Sequence, residues 1–303
     1  MIFIAPAWLW AAFTVTAAAA QTARNVMQHD LIAKIGMAGA THVRFIFALP
    51  FAVLFLLLEW LVIGIEVPSP SQKTVLWACV GAAAQTLATA LMLAAMRDRS
   101  FVVSIAFTKT EPIIIAIFGI AFLHETPSAG VALAILIATA GVMLMSWPRA
   151  TPDVQKSLRD WTPALMGLGA GACFALSGTG YRGAILSLET PSFVLAATTT
   201  LALGLAIQTC TIVAWLAIAD RKTLVAILDH WRPSLLAGFM GALASHFWFL
   251  GFAITTAAKV RTLALVEVLF AQVVSGRIKQ QTSVREYAGM AMIVAGIVLL
   301  LNF

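Results

Sequence analysis

Long apolar runs separated by short polar connections organise this chain. Ten such segments fall at residues 6–28, 37–64, 73–96, 100–122, 127–147, 162–187, 190–219, 231–255, 258–279 and 283–302. Each approaches or exceeds the roughly 20 residues an α-helix needs to cross a bilayer. All are far longer than the ~10-residue alternating strands of a membrane barrel. The pattern predicts an all-α membrane protein with ten transmembrane helices. The first apolar run, Ile2 to Ala20, has no Lys or Arg ahead of it and is read as the first membrane helix, not as a signal peptide. The longest polar interruption, Pro148 to Thr162, divides the chain into two halves. This gives a first five-helix repeat at 1–147, a linker at 148–161 and a second five-helix repeat at 162–303. Five is odd, so the second half enters the membrane in the opposite sense. That is the inverted-repeat condition of secondary transporters.

Internal matches support the duplication. Glu111, in Thr108-Lys109-Thr110-Glu111-Pro112, and Glu267, in Ala264-Leu265-Val266-Glu267-Val268, lie 156 residues apart. Thr126 and Thr282, in the polar exits that follow, keep the same spacing. Gly81-Ala82 answers Gly241-Ala242, and Arg24 answers Arg182. A carboxylate deep in lipid costs about 3 kcal/mol or more, so both glutamates are functional candidates. Pro112 clashes with the carbonyl of Thr108 and predicts a kink beside Glu111. In the second half Val268 stands where the first has proline.

Composition narrows the class. The chain is 61% hydrophobic and 11% charged, with mean hydropathy +0.95. Soluble domains carry about 25% charged residues. The net charge of +6 comes from scattered basic pairs, not a dense stripe, which argues against nucleic-acid binding. Connections 1–2, 3–4, 5–6, 7–8 and 9–10 hold 12 Lys and Arg, against Lys73, Lys259 and Arg261 on the opposite side. The positive-inside rule then puts both termini outside. Lys259 and Arg261 are expected as interface anchors. Cys79, Cys173 and Cys210 each sit in apolar runs without a CxxC pair and are expected to be small buried residues. No HExxH follows His124-Glu125, and Ala175 replaces the first glycine of a GxSxG at Ser177. An enzyme is not expected, and neither is a metal or a cofactor. Gly167 and Gly171 make a GxxxG spacing that predicts close helix packing.

The ten-helix, two-half pattern, with a small-residue run, Pro112 and the exit His124-Glu125-Thr126, resembles the drug/metabolite transporter superfamily, specifically its EamA family. The resemblance implies helices arranged around a central cavity, with spans 5 and 10 packed peripherally. It also implies transport of small metabolites, often export of amino acids.

The candidate substrate-binding residues are Arg44, Lys109, Glu111, Glu267, Arg24 and Arg182. Ser104, Thr108 and Glu111 share a helix face. Glu111 serves either transport or a helix–helix ion pair. Lys109 lies about 200° round the helix from Glu111 and needs another partner, a ligand or a structural one. Arg44 suits a substrate carboxylate or phosphate, or clamps Glu111, Glu59 or helix carbonyls. Arg24 and Arg182 are expected to snorkel to the interface. Glu267 has only the distant Lys259 roughly on its side. His42, His124 and His246 read as ordinary helix histidines, and Trp248 and Phe247 as core. The cation excess favours a substrate with an anionic group, an amino acid or related zwitterionic or carboxylate metabolite. Carriers of organic anions, nucleotides or sugars are the alternative, and a channel or membrane-embedded sensor is the rival class. If the cations hold both glutamates ionised, transport is facilitated or exchange; if desolvation wins, it is proton-coupled. The first is favoured. A monomer in the cell inner membrane, with the bilayer and a small-molecule substrate as partners, completes the expectation.

Overall fold

The structure is a computed structural model describing residues 6–96, 101–147, 161–274 and 283–303. The expected linker, apart from Trp161, and the second exit at 280–282 lie outside these residues. All regular structure among them is helical: α1 (Leu9–Ile46), α2 (Leu49–Ile63), α3 (Gln72–Met96), α4 (Phe101–Thr108), α5 (Glu111–Leu123), α6 (Ala129–Ser146), α7 (Trp161–Leu186), α8 (Phe193–Ala219), α9 (Arg221–Asp229), α10 (Trp231–Ile254), α11 (Ala257–Leu263), α12 (Val266–Val274) and α13 (Val284–Leu301). Seven stretches among the described residues are long and apolar enough to cross a membrane. One of them, Leu9–Ile63, runs 55 residues and covers two of the expected spans. Its break falls at Gly36, whose φ of 72° lies where L side chains are strained. The connection expected near residues 29–36 is therefore helical up to this glycine. The Gln28 amide donates across the break to the Ala40 carbonyl at 2.7 Å.

The chain forms two compact units, and each draws on both sequence halves. The first comprises Met1–Ala82 and Gly180–Thr255, the second Ala83–Thr179 and Thr256–Phe303. Helices α3 and α7 contribute to both.

In the first unit α1 packs along α10, and α2 packs on α8. The start of α3 meets the end of α7 through small residues. A Cβ on Gly180 would lie 2.8 Å from the Gly81 nitrogen, and one on Gly81 would lie 2.9 Å from the Tyr181 ring. The outer side of α2 shows Leu57, Leu58, Leu61 and Val62 to the surroundings, as a lipid-facing helix must. Cys79 and Cys210 are also exposed, contrary to the buried role expected for them. Either small polarizable side chain is acceptable against acyl chains.

In the second unit α6 and α13 pack on each other. The Cβ atoms missing from Gly141, Gly289 and Gly296 would collide with the facing backbone or with Ala138. Ala138, Val142, Ile293 and Leu265 form the core there, with Val268 against it. Leu133, Leu136, Val294 and Val298 remain outside. α4 meets α7 through Gly167 and Gly171, as the GxxxG spacing predicts. Ser104 Oγ donates to the Pro163 carbonyl at 2.8 Å and Thr108 Oγ1 to the Gly167 carbonyl at 3.1 Å.

One element was not expected. Residues 221–229 read as a connection, yet they form α9, whose N-cap Asp220 accepts from the Thr223 amide at 3.1 Å and hydroxyl at 2.6 Å. These bonds lower the Asp220 carboxyl below its usual range. The sign follows: a depressed folded pKa stabilises α9 above the unfolded value, and this support is lost as pH falls through the folded one. An acid titration followed by hydrogen exchange should show α9 amides losing protection in that window, and Asp220→Asn should remove the pH dependence.

Packing makes a second prediction. A Cβ on Gly167 overlaps the Ser104 carbonyl, whereas one on Gly169 meets only Leu91 at 3.6 Å. Gly167→Ala should cost about 1–3 kcal/mol by overpacking. Gly169→Ala should be neutral or gain up to about 1 kcal/mol from helix propensity. Thermal unfolding in detergent separates the two.

Candidate functional site

Pro112 explains the first break in the second unit. Without an amide hydrogen it cannot bond the Thr108 carbonyl, so α4 stops at Thr108 and α5 begins at Glu111. The linking turn is closed by Lys109 and Thr110 amides on the Ala106 and Phe107 carbonyls at 3.2 and 3.1 Å. The freed Thr108 carbonyl lies against Gly171, where a Cβ would approach to 3.0 Å.

The second half repeats the break without the proline. α11 ends at Leu263 and α12 begins at Val266, so Glu267 again falls in the first turn of the second segment. Here the amides of Leu265 and Glu267 close tight turns on the Thr262 and Ala264 carbonyls at 3.2 and 2.9 Å. The buried Leu265 enters the core with Ala138, Val142 and Ile293. Packing thus holds a break that local chemistry dictates in the first half. Both carboxylates sit at helix N-termini, where the backbone dipoles favour negative charge.

Each glutamate is paired with a cation from the other sequence half. Arg261 grips Glu111 with two parallel bonds, Nε to Oε1 at 2.6 Å and Nη2 to Oε2 at 2.8 Å. Lys109 Nζ lies 3.6 Å from Glu267 Oε1. The placement of Arg261 corrects the expectation of an interface anchor, and Lys109 replaces Lys259 as the partner of Glu267. Lys259 Nζ donates to the Phe303 carbonyl at 3.0 Å. The cost of leaving a charge in an apolar run, applied above to the two glutamates, was the signal for Arg261 too. The two pairs differ in kind. The Arg261 pair is bidentate, and its carboxylate is 11% exposed. The Lys109 pair is a single long contact with both side chains about a quarter exposed (25% and 24%). The first is a clasp, the second an openable contact. Ser104 and Thr108 do not join them, because their hydroxyls go to α7 carbonyls.

The remaining candidates lie in the first unit. Arg24 and Arg182 are buried, which corrects the expectation that they snorkel outward. Arg24 Nη2 donates to Asn25 Oδ1 at 2.9 Å, and its side chain lies beside Gly241. Arg182 donates to the Phe252 carbonyl, near the C-terminal end of α10, where a cation suits the helix dipole. The Arg44 guanidinium stacks over the Phe45 ring at 4.5 Å. Tyr181, next to Arg182, packs on Phe249 at 4.7 Å between centroids. Trp248 Nε1 donates to Gln21 at 3.3 Å. The first unit thus carries two buried arginines, Arg24 and Arg182, and the half-buried Arg44. Glu59, offered above as a partner for Arg44, instead meets His246, Nε2 to Oε1 3.1 Å. His124 takes a left-handed backbone, φ 56°, and ends α5.

Apolar helices of membrane-spanning length define a multi-pass membrane protein. Residues 5–147 match the model of the EamA-like transporter family, a match that supports the drug/metabolite transporter superfamily. No curated relative matches the sequence. Among solved structures 26 chains match. One of them, described simply as the crystal structure of a protein, has a TM-score of 0.65 and 12% identity, covering 96% of either chain. At that identity the likeness is one of fold.

The pairs predict an asymmetry. Arg261→Ala strands the Glu111 carboxylate and should cost about 3 kcal/mol or more. Lys109→Ala should cost about 1 kcal/mol or less, because its contact is half-solvated and long. The double variant Glu111→Gln/Arg261→Gln should recover most of the loss. A thermal-unfolding mutant cycle in lipid nanodiscs measures all three.

Proposed function

We propose that the chain is a secondary transporter moving a small zwitterionic or carboxylate metabolite, most simply an amino acid, across the inner membrane by alternating access. On this reading it has ten membrane helices in two inverted five-helix repeats, functions as a monomer and exports its substrate. The observation that carries the reading is the matched pair of broken helices, each with a glutamate at the start of its second segment and a cation from the opposite half upon it. Transporters of inverted-repeat type build ion and substrate sites from such discontinuous helices. A second correspondence supports the repeat. Gly241 accommodates Arg24, while Gly81 accommodates Tyr181, the neighbour of Arg182. Spans 1 and 8 thus meet as spans 6 and 3 do.

The substrate chemistry follows from the weaker pair. A zwitterion opens the Lys109–Glu267 contact without leaving a charge unsatisfied: its carboxylate takes Lys109 and its ammonium takes Glu267. A purely cationic or anionic substrate satisfies only one of them. The buried Arg24 and Arg182 and the half-buried Arg44 favour a second reading, an organic-anion carrier. With Arg261 placed inside, the opposite side keeps Lys73 and Lys259 against the 12 basic residues counted above, so both termini outside remains the orientation proposed.

Proteoliposomes loaded with an amino-acid mixture should take up the labelled mixture by saturable counterflow. Lys109→Ala and Glu267→Gln should each raise KM about tenfold or more, the loss of one charged hydrogen bond. Counterflow with dicarboxylates or nucleotides alone would select the organic-anion reading. Linear, unsaturable flux would indicate a channel, and no flux of any of these would defeat the transporter assignment.

A further inference from the structure

The first unit holds a carboxylate and an imidazole in a bonded arrangement that the substrate site does not use. Glu59 is the one titratable residue of α2, set among the apolar Leu57, Leu58, Trp60 and Leu61. Its Oε1 lies 3.1 Å from His246 Nε2 on α10. Its Oε2 is enclosed and has no hydrogen-bond partner. The other imidazole nitrogen, Nδ1, lies 3.4 Å from Thr198 Oγ1 on α8. Phe55 and Phe247 cover the ring, at 5.3 and 5.7 Å between centroids.

Counting hydrogens decides what this pair contains. The Thr198 hydroxyl has one hydrogen, and the Val194 carbonyl at 3.0 Å takes it. Toward His246 its oxygen accepts when Nδ1 carries a hydrogen, at 3.4 Å, whereas a hydrogen on Nε2 alone donates to the Glu59 carboxylate at 3.1 Å. A neutral imidazole with its hydrogen on Nδ1 presents a bare lone pair at Nε2. At 3.1 Å that lone pair would face a carboxylate lone pair, which is repulsive. With Nδ1 protonated, one further proton lies between Nε2 and Oε1, as Glu59–COOH to imidazole or as carboxylate to imidazolium. The pair is neutral with this proton and carries one negative charge without it. In a low-dielectric setting the two states differ greatly in solvation, and the unpartnered Oε2 leaves the charged state poorly satisfied.

We propose that Glu59 and His246 form a proton-binding site that couples transport to the proton gradient. This rests on the transporter reading above, and it places the proton on residues other than the ion-paired Glu111 and Glu267. The proton leaves the Glu59–His246 bridge to water on one side of the membrane and is replaced from the other. Of the packed helices, α1 carries the most titratable groups, Arg24, His29, Asp30, Lys34, His42 and Arg44. α8 carries only Cys210, which is exposed, and α10 carries Arg232 at its far start. α9 carries Arg221, Lys222 and Asp229. From α1, Arg24 and Arg44 reach Gly241, five residues from His246 on α10.

Two measurements test the proposal. The first is independent of transport: pH-difference infrared spectra of the purified protein in lipid. A protonated-carboxyl C=O band, moved by deuterium exchange, should titrate in the wild type, vanish in Glu59→Gln and change frequency in His246→Gln. A titrating spectrum unchanged in Glu59→Gln overturns the site, whatever the protein transports. The second uses proteoliposomes and the labelled amino-acid mixture. Glu59→Gln and His246→Gln should lose uptake driven by an imposed pH gradient and keep counterflow, which also shows that they are folded. Glu59→Asp should regain part of the gradient-driven uptake. Gradient-driven uptake undiminished in both variants overturns the coupling role. Failure of the wild type to transport any substrate rejects both the coupling role and the transporter reading, while the infrared arm still decides the proton site.

Discussion

A charge cannot stand alone in hydrocarbon, and the arrangement of this molecule's interior follows from that. Water is absent from the bilayer core, so each ionised group needs an internal partner and each broken helix needs its freed backbone groups answered. The second unit meets both demands at one place. Glu111 and Glu267 occupy the N-terminal ends of two half-helices. Arg261 and Lys109 neutralise them. The helix breaks themselves bring the four side chains within reach. An unbroken helix through 101–123 would carry Lys109 and Glu111 on different faces, about 200° apart. The turn at Lys109-Thr110 re-aims the lysine toward the other half.

The four charges are not equivalent, and the differences are what a moving part requires. A bidentate guanidinium–carboxylate pair has fixed geometry and is costly to separate. A lysine contact of 3.6 Å with both groups partly exposed is cheaply exchanged for water or a ligand. One pair ties α11 to α5, while the other is a single long contact, with the Arg261 charge acting on Glu267 as well. The first unit is organised differently. It gathers Arg24, Arg44 and Arg182 where backbone carbonyls, Asn25 and aromatic rings are their neighbours, and it keeps Glu59 for His246.

Much of this was legible in the residues because the bilayer imposes a coarse rule. The apolar runs located the helices, the 156-residue spacing located both glutamates, Pro112 located the first break, and Gly167 with Gly171 located a close packing. What escaped had no local cause. The second break has no proline; it exists because Leu265 fits the α6–α13 core, a contact of residues far apart in sequence. Arg261 lies 150 residues from Glu111 and six from Glu267, so helical spacing pointed to neither pairing. Arg24 and Arg182 sit toward the ends of their apolar runs and read as interfacial, yet small residues at Gly241 and Gly81 make room beside them and their neighbours. α9 is nine residues of mixed character, and its cap at Asp220 was the one local sign. The three histidines looked alike in sequence. Only the approach of α2 to α10 separates His246 from the others.

Breaks held by different means have different mechanical properties. At residues 109–110 the proline forbids a continuous helix, so α4 and α5 remain separate segments in any conformation. At residues 264–265 nothing in the backbone chemistry prevents Leu263 to Val268 from closing into regular helix. The seat of Leu265 against Ala138, Val142 and Ile293 and the contact of Lys109 with Glu267 oppose it. The second half therefore contains the more adaptable hinge, and the weaker of the two ion pairs lies on that hinge. A ligand that takes Lys109 and Glu267 for itself removes one of the two restraints while leaving the Arg261 clasp closed. On the proposed function, binding at the exchangeable pair and rearrangement of the α11–α12 turn are two aspects of a single event.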